Sequence, residues 1–181
     1  MQRDVLHAKW LNTLSYLENC GARKIAACEH PTLVKEEMLK HASEEFRHFH
    51  YLKKQIKRVS SSRFPNYRHP SILGGINTLK YLNKLDLFTS GYLIKDCCLD
   101  KYEVKKIAYL LVTYAIELRA QEFYPIYDEV LREHQSKVYV KSIILEEEEH
   151  LREMREGIAN LPSGSKYADK ACSFEHYLFN K

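Results

Sequence analysis

The segment HASEEFRHFH, residues 41–50, contains the feature on which the interpretation of this chain depends. It lies in a stretch without Gly or Pro, which favours a helix. Read at alternating spacings of three and four residues, the core-facing side of that helix is apolar or small except at Glu45. His48 follows three residues later and lies on the same side. One Glu-x-x-His pair arises readily by chance, so the rest of the chain must decide between a solvated face and a binding site.

The composition is that of a globular protein. The chain has 181 residues, 45% hydrophobic and 29% charged, which is enough for one domain with a sizeable core. The formal net charge of +4 permits an anionic partner such as RNA without requiring one.

The cysteines and the apolar runs narrow the class of protein further. Five cysteines without a CxxC pair argue against a disulfide framework, a zinc ribbon and a rubredoxin-type iron site. The N-terminus has no apolar core of signal-peptide length, and the longest apolar run, IAYLLVTYAI at 107–116, is too short to span a membrane. We therefore expect a cytoplasmic protein without a membrane partner.

Four long helical segments are predicted, at about residues 4–28, 33–59, 101–133 and 136–160. The motif His30-Pro31-Thr32 separates the first two, and a short link joins the last two, so each pair should form an antiparallel hairpin. Residues 60–100, with a shorter helix near 71–87 and a loop at FTSGY, connect the pairs. The pattern predicts an all-α, ferritin-like antiparallel four-helix bundle with a long crossover between helices two and three. Its predicted span is 1–162, followed by a C-terminal tail at 163–181.

The same spacing places one glutamate on the core-facing side of two further helices. In the first helix it is Glu18, and in the fourth it is Glu147, the only member of the run 146–149 on that side. Glu147 is followed by His150, which repeats the Glu-x-x-His spacing of the second helix. Glu18 and Glu45 lie at matching heights, about 20 Å from the turn between their helices at a rise of about 1.5 Å per residue.

The third long helix is apolar almost all round, so its spacing does not choose between two glutamates. Height relative to a turn at His134 favours Glu122. A longer or displaced turn would favour Glu117, which lies about one turn further from it.

Carboxylates at one height in a core would repel one another and lose several kcal/mol of hydration each unless cations compensate them. Two divalent ions balance four carboxylates and two neutral imidazoles, and one Glu from each of two helices plus Glu-x-x-His from each of two others is a di-iron or di-manganese pattern. His41, two turns from His48, is expected to orient a ligand or to lie at the surface. The predicted metal ligands are Glu18, Glu45, His48, Glu117 or Glu122, Glu147 and His150.

At the level of motifs, the chain resembles the ferritin-like di-iron carboxylate superfamily over about residues 5–160. The motifs AxEEFRHF at 42–49 and IELRAQEF at 116–123 are similar to the corresponding helices of the tRNA isopentenyladenosine hydroxylases, and ENCGARKI at 18–25 is similar to their first helix. This resemblance implies that Glu117 is the ligand of the third helix.

The resemblance implies a non-haem, O2-activating oxidoreductase with two iron ions, or manganese, and specifically a hydroxylase or monooxygenase. Its partners would be O2, an external electron donor and a small-molecule or tRNA substrate, and a homodimer is allowed. A ferroxidase or a rubrerythrin-like peroxidase is the first alternative, and a metal-free ferritin-like interaction module is the second.

Overall fold

The computed structural model describes residues 2–30 and 32–181, and this part of the chain is α-helical with no β-strand in it. Pro31, in the predicted break between the first two helices, lies outside the described residues. The prediction of an all-α protein is confirmed, whereas the ferritin-like arrangement stays a prediction. The helices are α1 (Gln2–Cys28), α2 (Glu36–Val59), α3 (Gly75–Lys95), α4 (Lys101–Glu133), α5 (Lys141–Ala159) and α6 (Gly164–Phe179).

The bounds of the long helices differ from the predicted ones mainly at their starts. Helix α2 begins at Glu36, not near residue 33, and α5 begins at Lys141. In α2, acidic Glu36 and Glu37 occupy the first turn and basic Lys57 and Arg58 the last, so that both ends complement the helix dipole. None of the helices in the described part of the chain combines the length and the apolarity needed to cross a membrane.

Helix α3 is longer than predicted because its buried face continues through FTSGY. The prediction of a loop there is wrong, since Thr89 and Leu93 extend the buried series of Leu82 and Leu85 at spacings of three and four residues. A glycine in this segment, Gly91, is accommodated within the helix.

Two compact units make up the described chain. The first contains the residues up to Lys80 together with Ile126–Ser142, and the second contains Tyr81–Pro125 and Ile143–Lys181. Helix α4 continues past Pro125, where the units divide. The predicted division into a bundle at 1–162 and a tail at 163–181 stays a prediction.

In the first unit, α1 and α2 pack along each other in antiparallel directions. The Ser15 hydroxyl donates a hydrogen bond to the carbonyl oxygen of Phe49 at 2.8 Å. Three residues later along α1, Glu18 Oε2 lies 3.9 Å from Nδ1 of His48. As the residue number rises along α1, the number of the contacted residue on α2 falls, which confirms the predicted antiparallel hairpin.

Further segments of the first unit are attached to α1 and α2 by polar contacts. The Asn12 side-chain amide donates hydrogen bonds to the carbonyl oxygens of Asn66 and Ser71 at 3.1 and 2.9 Å, which fixes the start of the connection to α3. Nε2 of His7 lies 2.7 Å from the Tyr127 hydroxyl, near the end of α4. These contacts hold long-range segments around the α1–α2 hairpin.

In the second unit, α4 and α5 are also antiparallel. A Cβ at Gly157 would lie 2.9 Å from Cδ1 of Leu110. The Leu110 side chain occupies the place that a side chain at position 157 would take. About two turns away on both helices, Nδ1 of His150 lies 4.0 Å from Oε1 of Glu117. The parts of α4 and α5 that lie in the second unit therefore run antiparallel, as predicted.

Helix α6 packs on α3 and α4 in the second unit, where the sequence predicted only a tail. Its first residue is Gly164. A Cβ at this position would lie only 2.1 Å from the carbonyl oxygen of Ile158, so a larger residue would clash there. Its apolar face joins two clusters of buried side chains. These clusters contain Leu93, Val104, Ile107, Ala108, Leu111, Ile158, Ala168 and Ala171, and Leu85, Val112, Ala115 and Leu178.

Candidate metal centre

The first unit brings three predicted ligands together, which we call the first trio: Glu18 of α1 and Glu45 and His48 of α2. Nδ1 of His48 lies 3.9 Å from Glu18 Oε2 and 3.8 Å from Glu45 Oε1. The His48 side chain is 2% exposed and the Glu18 side chain 13% exposed, so the imidazole is enclosed and one carboxylate lies near the edge of the core. One potential ligand atom from each residue lies within 4.8 Å of the other two.

The second unit contains a matching second trio: Glu117 of α4 and Glu147 and His150 of α5. Nδ1 of His150 lies 4.0 Å from Glu117 Oε1 and 3.7 Å from Glu147 Oε2. All three side chains are less than a tenth exposed. Each trio thus contains one buried imidazole whose Nδ1 faces carboxylates from two helices.

The separations in both trios suit atoms that share a cation. They exceed the roughly 2.7–3.2 Å of a typical N–H···O hydrogen bond. Metal–nitrogen and metal–oxygen bonds of about 2.0–2.2 Å place neighbouring donors on one ion roughly 3–4 Å apart. The residues of both trios belong to groups of buried or partly buried histidine and glutamate side chains that could hold a metal ion.

Of the two glutamates considered for α4, only Glu117 faces α5. The Glu122 side chain is 68% exposed and pairs with Arg119 on the outer side of α4, so the expectation that favoured Glu122 is corrected. Five residues turn a helix by about 140°, because one turn takes about 3.6 residues. Glu117 and Glu122 therefore cannot face the same neighbour, and height alone could not choose between them.

His41 is a buried residue that the sequence analysis placed among orienting or surface groups. It is 1% exposed, and its Nε2 lies 3.7 Å from Oε1 of Glu45. Its distance from His48 was misleading, because the residue that matters is Glu45, only one turn away. The signal in the sequence was His-x-x-x-Glu-x-x-His at residues 41–48.

Gly21 leaves room beside the first trio. A Cβ at this position of α1 would lie 3.5 Å from Oε2 of Glu45, so the glycine leaves the space next to that carboxylate oxygen without a side chain. The neighbouring positions on α1 are filled by buried Ala22 and Ile25.

A second polar cluster lies in the second unit and is distinct from the trios. Glu175 of α6, 4% exposed, accepts hydrogen bonds from Arg119 at 3.0 and 2.8 Å and one from the Tyr81 hydroxyl. The hydrogen bond to Glu175 raises the pKa of Arg119 above its ordinary value. Burial, followed by the hydrogen bond to Glu175, raises the pKa of Tyr81. This cluster anchors α6 to α4.

Comparison with models of protein families, with curated proteins and with solved structures found no match for this chain. The helices and the donor groups define it as an all-α protein with buried histidine and glutamate clusters that could hold a metal ion.

Proposed function

We propose that this chain is a ferritin-like, non-haem O2-activating oxidoreductase with two iron or manganese ions, and more specifically a hydroxylase or monooxygenase. The observation that carries the proposal is the matched pair of trios. In each, a buried imidazole Nδ1 lies 3.7–4.0 Å from carboxylates of two helices. The donor pattern of ferritin-like dinuclear proteins has the same composition.

The donor set fits two divalent cations in charge and in chemistry. Four glutamates and two neutral imidazoles balance two divalent charges, and buried carboxylates without such compensation would lose several kcal/mol each. Oxygen and imidazole donors without thiolates suit iron and manganese. Gly21 leaves Oε2 of Glu45 without a side-chain neighbour from that position of α1.

We assign the donors by their places in the trios. Glu18 and Glu117 would each bind one ion, Glu45 and Glu147 would each bridge two, and His48 and His150 would each bind one. The ions, when bound, supply the redox chemistry that activates O2. The protein would hold the donors rigid and keep water away, since Leu52 and Leu151, one turn or less beyond the histidines, are buried.

For the substrate, we propose only a chemical class. A modified tRNA base fits the motif resemblance, and an aromatic acid or another small molecule is the alternative. The resemblance also implies an external electron donor. A homodimer would be compatible with this activity.

Metal analysis tests the centre. After iron-replete expression, we expect about two iron or manganese ions per chain. Because bridging carboxylates bind both ions, Glu45→Gln should reduce the content of both, and Glu147→Gln should do the same. Loss of a single ion from each variant would mean two separate mononuclear sites, and less than one ion per wild-type chain would refute the dinuclear centre.

Activity measurements separate the proposed function from its alternatives. A hydroxylase should consume O2 when given reductant and substrate, with one oxygen atom transferred from labelled O2 to the substrate. For the tRNA base, tRNA from a deletion strain should lack one hydroxyl. Oxidation of many added Fe2+ ions per chain would favour a ferroxidase, and turnover of hydrogen peroxide a peroxidase. Retained folding without metal uptake would favour an interaction module.

A further inference from the structure

His41 lies on the same buried face of α2 as the first trio and is almost fully enclosed. Its side chain is 2% exposed, and Nε2 points towards Glu45 Oε1 at 3.7 Å. This distance is longer than a typical N–H···O hydrogen bond of about 2.7–3.2 Å. It matches the separation of His48 Nδ1 from the same oxygen, which is 3.8 Å.

Glu45 is therefore flanked by two imidazoles of its own helix. His41 precedes it by four residues and His48 follows it by three, so one lies a turn below the carboxylate and the other a turn above. A carboxylate that bridges two cations presents one side to each of them. Both imidazoles lie near the same oxygen of Glu45, Oε1, His41 through Nε2 and His48 through Nδ1.

We propose that His41 is a seventh metal ligand, which binds through Nε2 an ion that Glu45 also holds. This inference rests on the proposed dinuclear centre and adds a donor to it. The bound form is the neutral imidazole, as is usual for histidine ligands. Nδ1 of His41 keeps its proton and faces away from the ion.

Helix α5 has no histidine at the position equivalent to His41 of α2. The position four residues before Glu147 is Ile143, which is 1% exposed and apolar. The two Glu-x-x-His helices thus differ at equivalent positions, His41 in α2 and Ile143 in α5. The centre becomes asymmetric, with three imidazoles and four carboxylates.

The added imidazole has a consequence for metal selection. Imidazole nitrogen suits iron better than manganese or magnesium, for which oxygen donors are more typical. The ion next to His41 should therefore discriminate more strongly for iron. A histidine that only oriented Glu45 would leave this preference unchanged.

The inference is tested with His41→Leu and His41→Gln, and with His50→Gln as the matched control. His50 is an exposed histidine of the same helix. Leucine gives α2 the apolar character that α5 has at Ile143, and glutamine keeps a polar side chain if the leucine variant does not fold. Circular dichroism and thermal unfolding of the metal-free proteins establish that each variant is folded.

Cobalt(II) serves as the probe, because it shifts the N–H proton resonances of bound imidazoles. Wild type and His50→Gln should each show three exchangeable, shifted imidazole resonances, and the His41 variants two. In the His41 variants, the Kd for one of the two cobalt ions should rise about 100-fold or more. Loss of a group that only orients a ligand typically raises the Kd by about 10- to 100-fold. Competition with Mn2+ should also become more effective at that ion.

Three shifted resonances or an unchanged Kd in a folded His41 variant would overturn the seventh ligand and leave the dinuclear centre standing. A wild-type chain that binds no cobalt would overturn the centre itself, and this inference with it.

Discussion

Glu45 lies on the buried face of α2, where His41, His48 and Gln55 are the other polar residues among apolar and small side chains. Ala42 and Leu52 on the same face are buried, so the carboxylate has little access to water. Burial of a carboxylate costs several kcal/mol unless a cation or strong donors compensate it. His41 and His48 flank Glu45 along α2, with Nε2 and Nδ1 at 3.7 and 3.8 Å from its Oε1.

At the residue scale, Glu117→Gln and Glu122→Gln decide which glutamate of α4 binds metal. We expect Glu117→Gln to lose metal, because its carboxylate faces His150 at 4.0 Å. Glu122→Gln should keep the wild-type metal content, because its side chain is 68% exposed. Metal content per chain after gel filtration is the measurement, and the reverse pattern would restore the height argument.

A pH dependence should arise from His7 of α1. Burial lowers the pKa of His7, with Asp4 opposing the shift. The unfolded chain, with an imidazole pKa of about 6.5, then takes up a proton before the folded protein does. The contribution of His7 to stability is complete above that pH and is lost as pH falls towards its lowered folded pKa.

The measurement is the free energy of unfolding by urea between pH 8 and pH 5, in wild type and His7→Gln. The variant should show a smaller loss of stability below pH 6.5 than wild type. His134→Gln, at an exposed histidine, is the control and should follow wild type. Parallel curves for wild type and His7→Gln would contradict the assignment.

The residues of the trios were predictable to different degrees. Periodicity found Glu18, Glu45 and Glu147, because each stands alone on an otherwise apolar or small face. It could not choose within α4, where apolar residues surround the helix and the orientation of Glu117 depends on packing. The sequence left open whether His41 orients a ligand or lies at the surface, and its burial beside Glu45 depends on packing.

At the scale of elements, α6 is fixed to α4 by a buried ion pair. Arg119 reaches Glu175 with two hydrogen bonds, and its guanidinium lies 4.2 Å from the centre of the Phe179 ring. On the outer side the same arginine meets exposed Glu122. The chain thus offers a buried and an exposed carboxylate on one arginine, which makes a matched comparison.

We expect Glu175→Gln to destabilise the protein by about 3 kcal/mol, because it leaves the Arg119 charge without its buried partner. Glu122→Gln should cost at most about 1 kcal/mol, as exposed ion pairs do. Chemical unfolding of both variants is the measurement. Equal effects would mean that the buried pair does not hold α6 in place.

The existence of α6 was within reach of the sequence. Gly164, Ala168, Ala171, Glu175 and Leu178 recur at alternating spacings of four and three, and all are buried. The sequence predicts that the last bundle helix ends at LPSGS and that an aromatic tail follows, whereas this spacing continues a buried face beyond LPSGS. The prediction for α3 is too short for a related reason. A loop was predicted at FTSGY, which contains Gly91, whereas Thr89 and Leu93 continue the buried face through it. In both cases, tertiary packing outweighed a local signal.

At the scale of the whole molecule, assembly size separates storage from oxygenation. We expect a monomer of 21.4 kDa or a dimer of twice that mass in solution. A 24-subunit cage would instead favour iron storage by the ferroxidase alternative. Light scattering during gel filtration measures the mass, and the metal-loaded and metal-free forms should both be examined.

Metal removal gives the last prediction, because ions that bind only the folded chain must stabilise all of it. Each ion at about 100 times its Kd should add about 2.7 kcal/mol. For a chain of 150–250 residues, that corresponds to a rise in Tm of roughly 5–10 °C per ion. Differential scanning calorimetry at increasing Fe2+ or Co2+ under anaerobic conditions should show this rise, and a chelator should reverse it.

The double variant Glu45→Gln, His48→Gln should show no more than a small response, whereas Glu148→Gln, at an exposed neighbour of Glu147, should behave like wild type. A wild-type Tm that does not depend on metal concentration would contradict the view that the buried carboxylates and imidazoles are there to bind cations.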